Sequence, residues 1–227
     1  MMSNNGIFTE PRSTGFRTDP ENVFAGSRNF EPPILNHGKV AGFYASALYK
    51  LNLQLNEFLF DAIGLHDRAT YCSDPFFVLK QMRYAGEPSD PSKGKFGAGP
   101  HTDWGSFTIL TTDGTPGLEI LLDEPGDDEK CGGRTWIPVP PKPGCLIINS
   151  GDQIAQLTNG VYKSALHRVI TVSSKPRYST AFFTYFNPYT IVAPLPRFVT
   201  KDRPARYPSD RTTLEYFHSK LRESFDR

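Results

Sequence analysis

Residues 99–112 read Gly99-Pro100-His101-Thr102-Asp103-Trp104-Gly105-Ser106-Phe107-Thr108-Ile109-Leu110-Thr111-Thr112, and the reading of this stretch decides the fold. It carries a histidine and an aspartate two positions apart, followed by the strand formers Phe107 to Thr112. On extended backbone, side chains two apart point to the same face. His101 and Asp103 can therefore grip one metal ion together. Taken alone, the pair reads equally as a strand-end histidine hydrogen-bonded to a neighbouring carboxylate.

Further short strands lie on both sides. Phe76 to Leu79 precedes the stretch, and Leu118 to Leu122, Thr135 to Val139 and Cys145 to Asn149 follow it. Ser164 to Val172 and Tyr178 to Phe186 complete the series, each bounded by Gly, Pro or Asp. Such spacing, with no helices between the strands, predicts an antiparallel sandwich or barrel. The acidic run Asp123 to Lys130 has a Pro-Gly centre between two strands and is expected to be a solvated hairpin loop. Residues 1–36 show no periodicity and are expected to form an irregular arm. From His37 to Ile63, Val40, Phe43, Tyr44, Ala47, Leu48, Leu51, Leu55, Phe58, Leu59 and Ala62 recur at helical spacing, with Gly64 placed as a cap. Arg211 to Phe225 predicts a closing helix with Leu214, Phe217 and Leu221 on one face. The expected organisation is an arm and long helix over 1–70, a β core over 71–205 and a C-terminal helix over 206–227.

Composition narrows the function classes. The 227 residues hold 25 Lys and Arg against 24 Asp and Glu, a net charge of +1. That balance argues against a nucleic-acid partner, which demands a basic surplus. No apolar run reaches the roughly 18 residues that a membrane span needs. Three cysteines (Cys72, Cys131, Cys145) form no C-x-x-C and read as free thiols. With no leader pattern in the opening residues, a cytoplasmic monomer is expected. Cys145 is expected to pack inside a strand, and Trp136 to anchor a hairpin.

His167 stands in the apolar stretch Ser164 to Val172 and reads by itself as a core histidine. Several strands separate it from Asp103, enough for the chain to run out and return. Two histidines and one carboxylate on one face of a metal leave the other face open, as in non-haem Fe(II) oxygenases. Four protein ligands would point instead to a closed structural site. Arg177 and Ser179 share a strand face and offer a guanidinium fork plus a hydroxyl, a receptor for a carboxylate.

These residues, together with Gly117-Leu118-Glu119-Ile120, Trp136 to Pro140, Asn149 to Gln153, Leu157 to Gly160 and Phe186-Asn187-Pro188, resemble one family in order and spacing. The chain looks like an iron(II)- and 2-oxoglutarate-dependent dioxygenase of the isopenicillin N synthase-like class. The resemblance implies a mainly β, double-stranded β-helix (jelly-roll) fold with flanking helices, lacking the N-terminal part of the usual family fold. It implies that His101, Asp103 and His167 hold Fe(II), and that Arg177, Ser179 and Tyr84 bind 2-oxoglutarate. O2 would be the second co-substrate and ascorbate supportive. Met82 stands where the family often has an asparagine. Trp104, Phe107, Phe183 and Phe186 are candidates to line the substrate site, with Leu110 beside them. The expected activity is hydroxylation, desaturation or ring closure of a small hydrophobic compound of secondary metabolism. An iron oxidase that does not use 2-oxoglutarate, a non-catalytic jelly-roll binder and a zinc hydrolase are the competing readings.

Overall fold

A computed structural model describes residues 5–12, 15–17, 37–123, 134–208 and 210–225. Strands β1 (Asn5–Arg12) and β2 (Gly15–Arg17) come first, followed by helix α1 (His37–Ile63) and the single turn α2 (Ala69–Cys72). Next are β3 (Phe76–Tyr84), β4 (Ala98–His101), β5 (Phe107–Thr112), β6 (Leu118–Asp123), β7 (Arg134–Pro138) and β8 (Ile147–Ser150). Helix α3 (Asp152–Leu157), β9 (His167–Val169), β10 (Arg177–Tyr185) and α4 (Thr213–Phe225) complete the chain. A six-stranded sheet runs β2-β1-β3-β10-β5-β8, and a four-stranded sheet runs β4-β9-β6-β7. Every strand pair is antiparallel. Two facing antiparallel sheets with flanking helices make an antiparallel sandwich, as the spacing of short strands predicts, and it is the jelly roll that the family resemblance implies.

Alternation along the strands divides the large sheet into two faces. Phe77 and Leu79 on β3, Ile109 on β5 and Phe182 on β10 form the outer face, packed under Ala41, Ala45 and Leu48 of α1. The inner face is built in transverse rows by the register. Tyr84 pairs with Arg177, and Met82 pairs with Ser179. Lys80, Ala181, Leu110 and Ile147 make the next row, and Val78, Phe183, Thr108 and Asn149 the one after it. Phe76, Val78, Tyr185 and Phe217 bury one end of this face under α4. Tyr84, Leu118 and Val169 close the other end against the small sheet.

Several expectations need correction. Residues 5–12 and 15–17 form strands rather than irregular arm, because β1 completes the open edge of β3 from Asn5↔Gln81 to Thr9↔Phe77. Helix α1 has the expected bounds, but its buried stripe is turned. Ala41, Ala45, Leu48, Asn52, Asn56, Phe60 and Ile63 face inward, while Val40, Phe43 and Phe58 stand 66%, 81% and 71% exposed. The sequence is apolar on more than one side of this helix, and small alanines rather than large side chains lie where α1 approaches the sheet. Gly64 does cap it: φ is +62°, and Leu65 N–H donates to Phe60 O at 2.8 Å. Helix α3 interrupts the expected strand series and α2 precedes it; at six and four residues they are too short to display a helical period. The strand expected over Ser164 to Val172 shrinks to His167–Val169. Cys145 is exposed, since β8 begins two residues later. Trp136 sits on β7 with the Arg168 guanidinium 4.1 Å over its ring. The acidic run lies outside the described residues beyond Asp123.

Candidate metal and co-substrate site

His101 closes β4 and His167 opens β9, and the two are direct cross-strand partners. Asp103 follows in a loop whose backbone is stitched in place. Asp152 N–H donates to Asp103 O at 2.8 Å, Gly151 N–H to Ser106 O at 2.7 Å, Gln153 N–H to Gly105 O at 3.0 Å and Ser106 N–H to Thr184 O at 2.7 Å. The start of α3 and the end of β10 thereby fix where the carboxylate points. Asp103 is 5% exposed, His167 12% and His101 44%, so the cluster opens to solvent on the His101 side.

The orientation of each donor is set by a second contact. The Nδ1 atoms of His101 and His167 lie 2.8 Å from the carbonyls of Gly99 and Ala165. A carbonyl only accepts, so both Nδ1 atoms carry the proton and both Nε2 lone pairs are free. The Asp103 Oδ2 atom accepts from Thr108 Oγ1 at 2.6 Å and from Asn149 Nδ2 at 2.8 Å. That leaves Oδ1 aimed at the two Nε2 atoms, 3.9 Å from His101 and 3.7 Å from His167. One ligand atom from each residue lies within 4.8 Å of the others. The donor set fits a divalent first-row cation: two neutral imidazoles and one carboxylate on one side, with the other side open. Burial, and secondarily His167, hold the His101 imidazole below its ordinary pKa, which keeps it available as a ligand.

Arg177 and Ser179 lie farther along the inner face and are 3% and 5% exposed. Arg177 Nε donates to Thr115 O at 3.2 Å, and its guanidinium lies 5.1 Å over the Tyr84 ring. Arg177 Nη1 and Ser179 Oγ are buried with no hydrogen-bond partner among the described residues. Burial lowers the pKa of Arg177 from its ordinary value. Orphaned donors on a buried cation are costly unless a ligand completes them, and a carboxylate matches the pair. Tyr84 packs against Arg177, and its hydroxyl donates to Met82 Sδ at 3.3 Å.

The aromatic candidates separate. Phe183 stays on the inner face, in one row with Thr108 and Asn149. Trp104 packs on Phe217 of α4 with ring centroids 6.0 Å apart. Phe107 and Phe186 do not line the site: Phe186 is fully buried with Leu59, Phe60 and Ile63, and Phe107 packs against the same cluster. Alternation turns Phe107 away from the face that carries Thr108. The inner face also carries three residues that the sequence expectations do not include. Thr108 and Asn149 were hidden because only the strand register brings them to Asp103. Lys80 was detectable, being four positions before Tyr84 on one strand face. It is partly buried, and burial lowers its pKa while Asp103 raises it.

Residues 74–185 match the model of the 2OG-Fe(II) oxygenase superfamily. A 2-oxoglutarate-Fe(II) type oxidoreductase of Aspergillus fumigatus is 36% identical over 162 residues, covering 71% of this chain and 43% of that protein. The chain thus spans less than half the length of this curated relative. A solved structure of a Caulobacter crescentus protein assigned to the 2OG-Fe(II) oxygenase family superposes with a TM-score of 0.74 at 28% identity, covering 96% of this chain and 68% of that one. The structure of JOX2 in complex with 2OG, Fe and JA gives a TM-score of 0.69 at 29% identity, covering 95% and 58%. Among the described residues no helix is long and apolar enough to cross a membrane.

Proposed function

The chain belongs to the 2OG-Fe(II) oxygenase superfamily, and on that premise we propose that it oxidises a small hydrophobic metabolite of secondary metabolism, coupled to decarboxylation of 2-oxoglutarate to succinate and CO2. Hydroxylation, desaturation and ring closure are the outcomes this chemistry offers. One observation carries the reading: the buried, orphaned Arg177 Nη1 and Ser179 Oγ belong to the same sheet face as Thr108 and Asn149, which hold Asp103 of the open His101-Asp103-His167 cluster.

Bound Fe(II) would supply the activation of O2 that organic side chains cannot provide. The chain's own residues hold, orient and exclude. His101, Asp103 and His167 present three donors on one side and leave the opposite side for the co-substrate and O2. The Gly99 and Ala165 carbonyls and the Thr108 and Asn149 side chains keep those donors in register before any ligand arrives. Arg177 and Ser179 would take the distal carboxylate, with Tyr84 packed beside them. Met82 leaves the proximal carboxylate without an amide donor at that position. Phe183, Leu110 and Ile147 give the inner face its apolar lining, which favours an organic substrate and keeps water from the oxidant. The reading extends to a monomer in a reducing compartment such as the cytoplasm, in keeping with free Cys72 and Cys145.

The test is succinate release by the purified chain with Fe(II), ascorbate and 2-oxoglutarate across a panel of small metabolites, with 2-oxoglutarate binding titrated under nitrogen. Binding that Arg177→Met removes supports the reading. An iron-loaded chain that binds no 2-oxoglutarate overturns it.

A further inference from the structure

The inner face carries a second cation that the metal and co-substrate do not use. Lys80 stands in the row Lys80, Ala181, Leu110, Ile147, between the row that holds Asp103 and the row of Ser179. Its row neighbours offer no counter-ion: Ala181 opposite it is small, and Leu110 and Ile147 are apolar. Above and below it on the same face are Val78 and Met82, which belong to two different apolar clusters. The ammonium feels Asp103 and His101, yet it has no hydrogen bond or ion pair among the described residues.

Charge matching then identifies what is missing. With the site loaded as proposed above, the two positive charges of the metal are met by Asp103 and one carboxylate of 2-oxoglutarate. The other carboxylate is met by Arg177. Lys80 remains as an uncompensated charge in an apolar surround, which is costly. An anionic group on the substrate would complete it, and would do so beside the metal ligands.

We propose that Lys80 is a specificity-determining residue that selects substrates bearing an anionic oxygen, a carboxylate or a phenolate, on an otherwise apolar frame. The assignment rests on the oxygenase reading and deepens it by naming the substrate class. The ammonium anchors that oxygen, and the apolar remainder lies along Phe183 and Leu110 within reach of the metal. No bond is made or broken by Lys80; it positions the substrate.

The experiment uses the full chain loaded with Zn(II), which is redox-inert, and with 2-oxoglutarate. Phenylacetate, 3-phenylpropionate and octanoate are titrated by calorimetry, each against its neutral primary amide. The parent chain should prefer acids over amides. Lys80→Met, which keeps the apolar stem, should bind the acids roughly thirtyfold more weakly or worse, the lower end of what unpairing a buried charge does. Amide binding and 2-oxoglutarate binding should stay unchanged, and Lys80→Arg should retain the preference. Equal binding of acid and amide by the parent chain overturns the proposal without any variant, so a misfolded variant does not shelter it. A Lys80→Met chain that loses 2-oxoglutarate affinity equally also overturns it, reassigning Lys80 to the co-substrate. A chain that binds neither Zn(II) nor 2-oxoglutarate defeats the oxygenase reading beneath it; one that binds both and ignores substrate charge defeats only the Lys80 assignment.

Discussion

His101 and His167 face each other across the β4–β9 pair with ring centroids 4.3 Å apart and ring planes at 54°. Burial disfavours the charged form of the His101 imidazole, and the ring of His167 so close beside it disfavours that form further. The folded pKa of His101 therefore lies below its unfolded value of 6.5. Below that value the unfolded chain takes the proton first, so protonation favours unfolding. The metal-free chain should lose stability as pH falls through 6.5, and the loss from this group should end once the folded pKa is passed. Melting temperatures from pH 8 to pH 5 check this, and His101→Gln should flatten that part of the profile. A melting temperature that rises on acidification in this window contradicts the burial argument.

The Asp103 carboxylate is aimed by its neighbours rather than by its own backbone alone. Thr108 and Asn149 both donate to Oδ2 and leave Oδ1 for the cluster. Thr108→Val and Asn149→Leu keep the approximate shape and remove one donor each. Each should lower divalent-metal affinity about 10- to 100-fold, the usual effect of removing an outer partner of a metal ligand. Equilibrium dialysis with Fe(II) or Zn(II) measures it, and unchanged affinity in both variants would show that Asp103 needs no anchoring.

Arg177 invites a paired measurement. It is 3% exposed, and Nη1 lacks a partner among the described residues. A hydrogen bond to a charged group contributes about 1.5–3 kcal/mol. Arg177→Met should therefore weaken 2-oxoglutarate binding by roughly ten- to 150-fold, and Ser179→Ala by about fivefold. Without 2-oxoglutarate, the same Arg177→Met chain should melt no lower than the parent, because it sheds an incompletely paired buried cation. A marked drop in melting temperature with co-substrate affinity intact would mean that the arginine serves the fold.

Much of this architecture is legible from single residues, and the reasons differ from place to place. The α1 bounds could be read because Gly64 and the long periodic run agree. Its orientation could not, because Val40, Phe43 and Phe58 give a second apolar side and the buried one includes Asn52 and Asn56. His101 and Asp103 are legible together through local alternation. His167, Arg177 and Ser179 depend on strands returning from a distance, and only the likeness to a known family joins them to the pair. Phe186 is not told apart in the sequence, because an aromatic at the end of a strand looks the same whether it lines a cavity or plugs the core beneath α1. Thr108 and Asn149 are polar residues in strands, and nothing short of the β5–β8 register shows that they meet the same oxygen.

Two glycines hold the site loop against its supports, and they lead to a last prediction. A Cβ on Gly105 would sit 2.0 Å from Thr184 O, and one on Gly151 would sit 2.3 Å from Gly105 O and 2.9 Å from Asp103 O. The opposing atoms are backbone carbonyls of a paired strand and of the loop itself, so neither can swing aside as a side chain would. An alanine at either position must push the loop away from β10 or from α3, and Asp103 Oδ1 moves with it. Gly105→Ala and Gly151→Ala should each cost about 1–3 kcal/mol of stability, in the range of overpacking, and should also weaken metal binding. Gly99 supplies the control: a Cβ there meets nothing nearer than Phe96 at 4.0 Å, so Gly99→Ala should leave both quantities close to the parent although it lies beside His101. Calorimetric melting together with metal titration distinguishes the outcomes. A Gly105→Ala chain that melts lower but keeps full metal affinity would show that the loop can shift without carrying Asp103, and the coupling between backbone packing and ligand geometry would have to be abandoned.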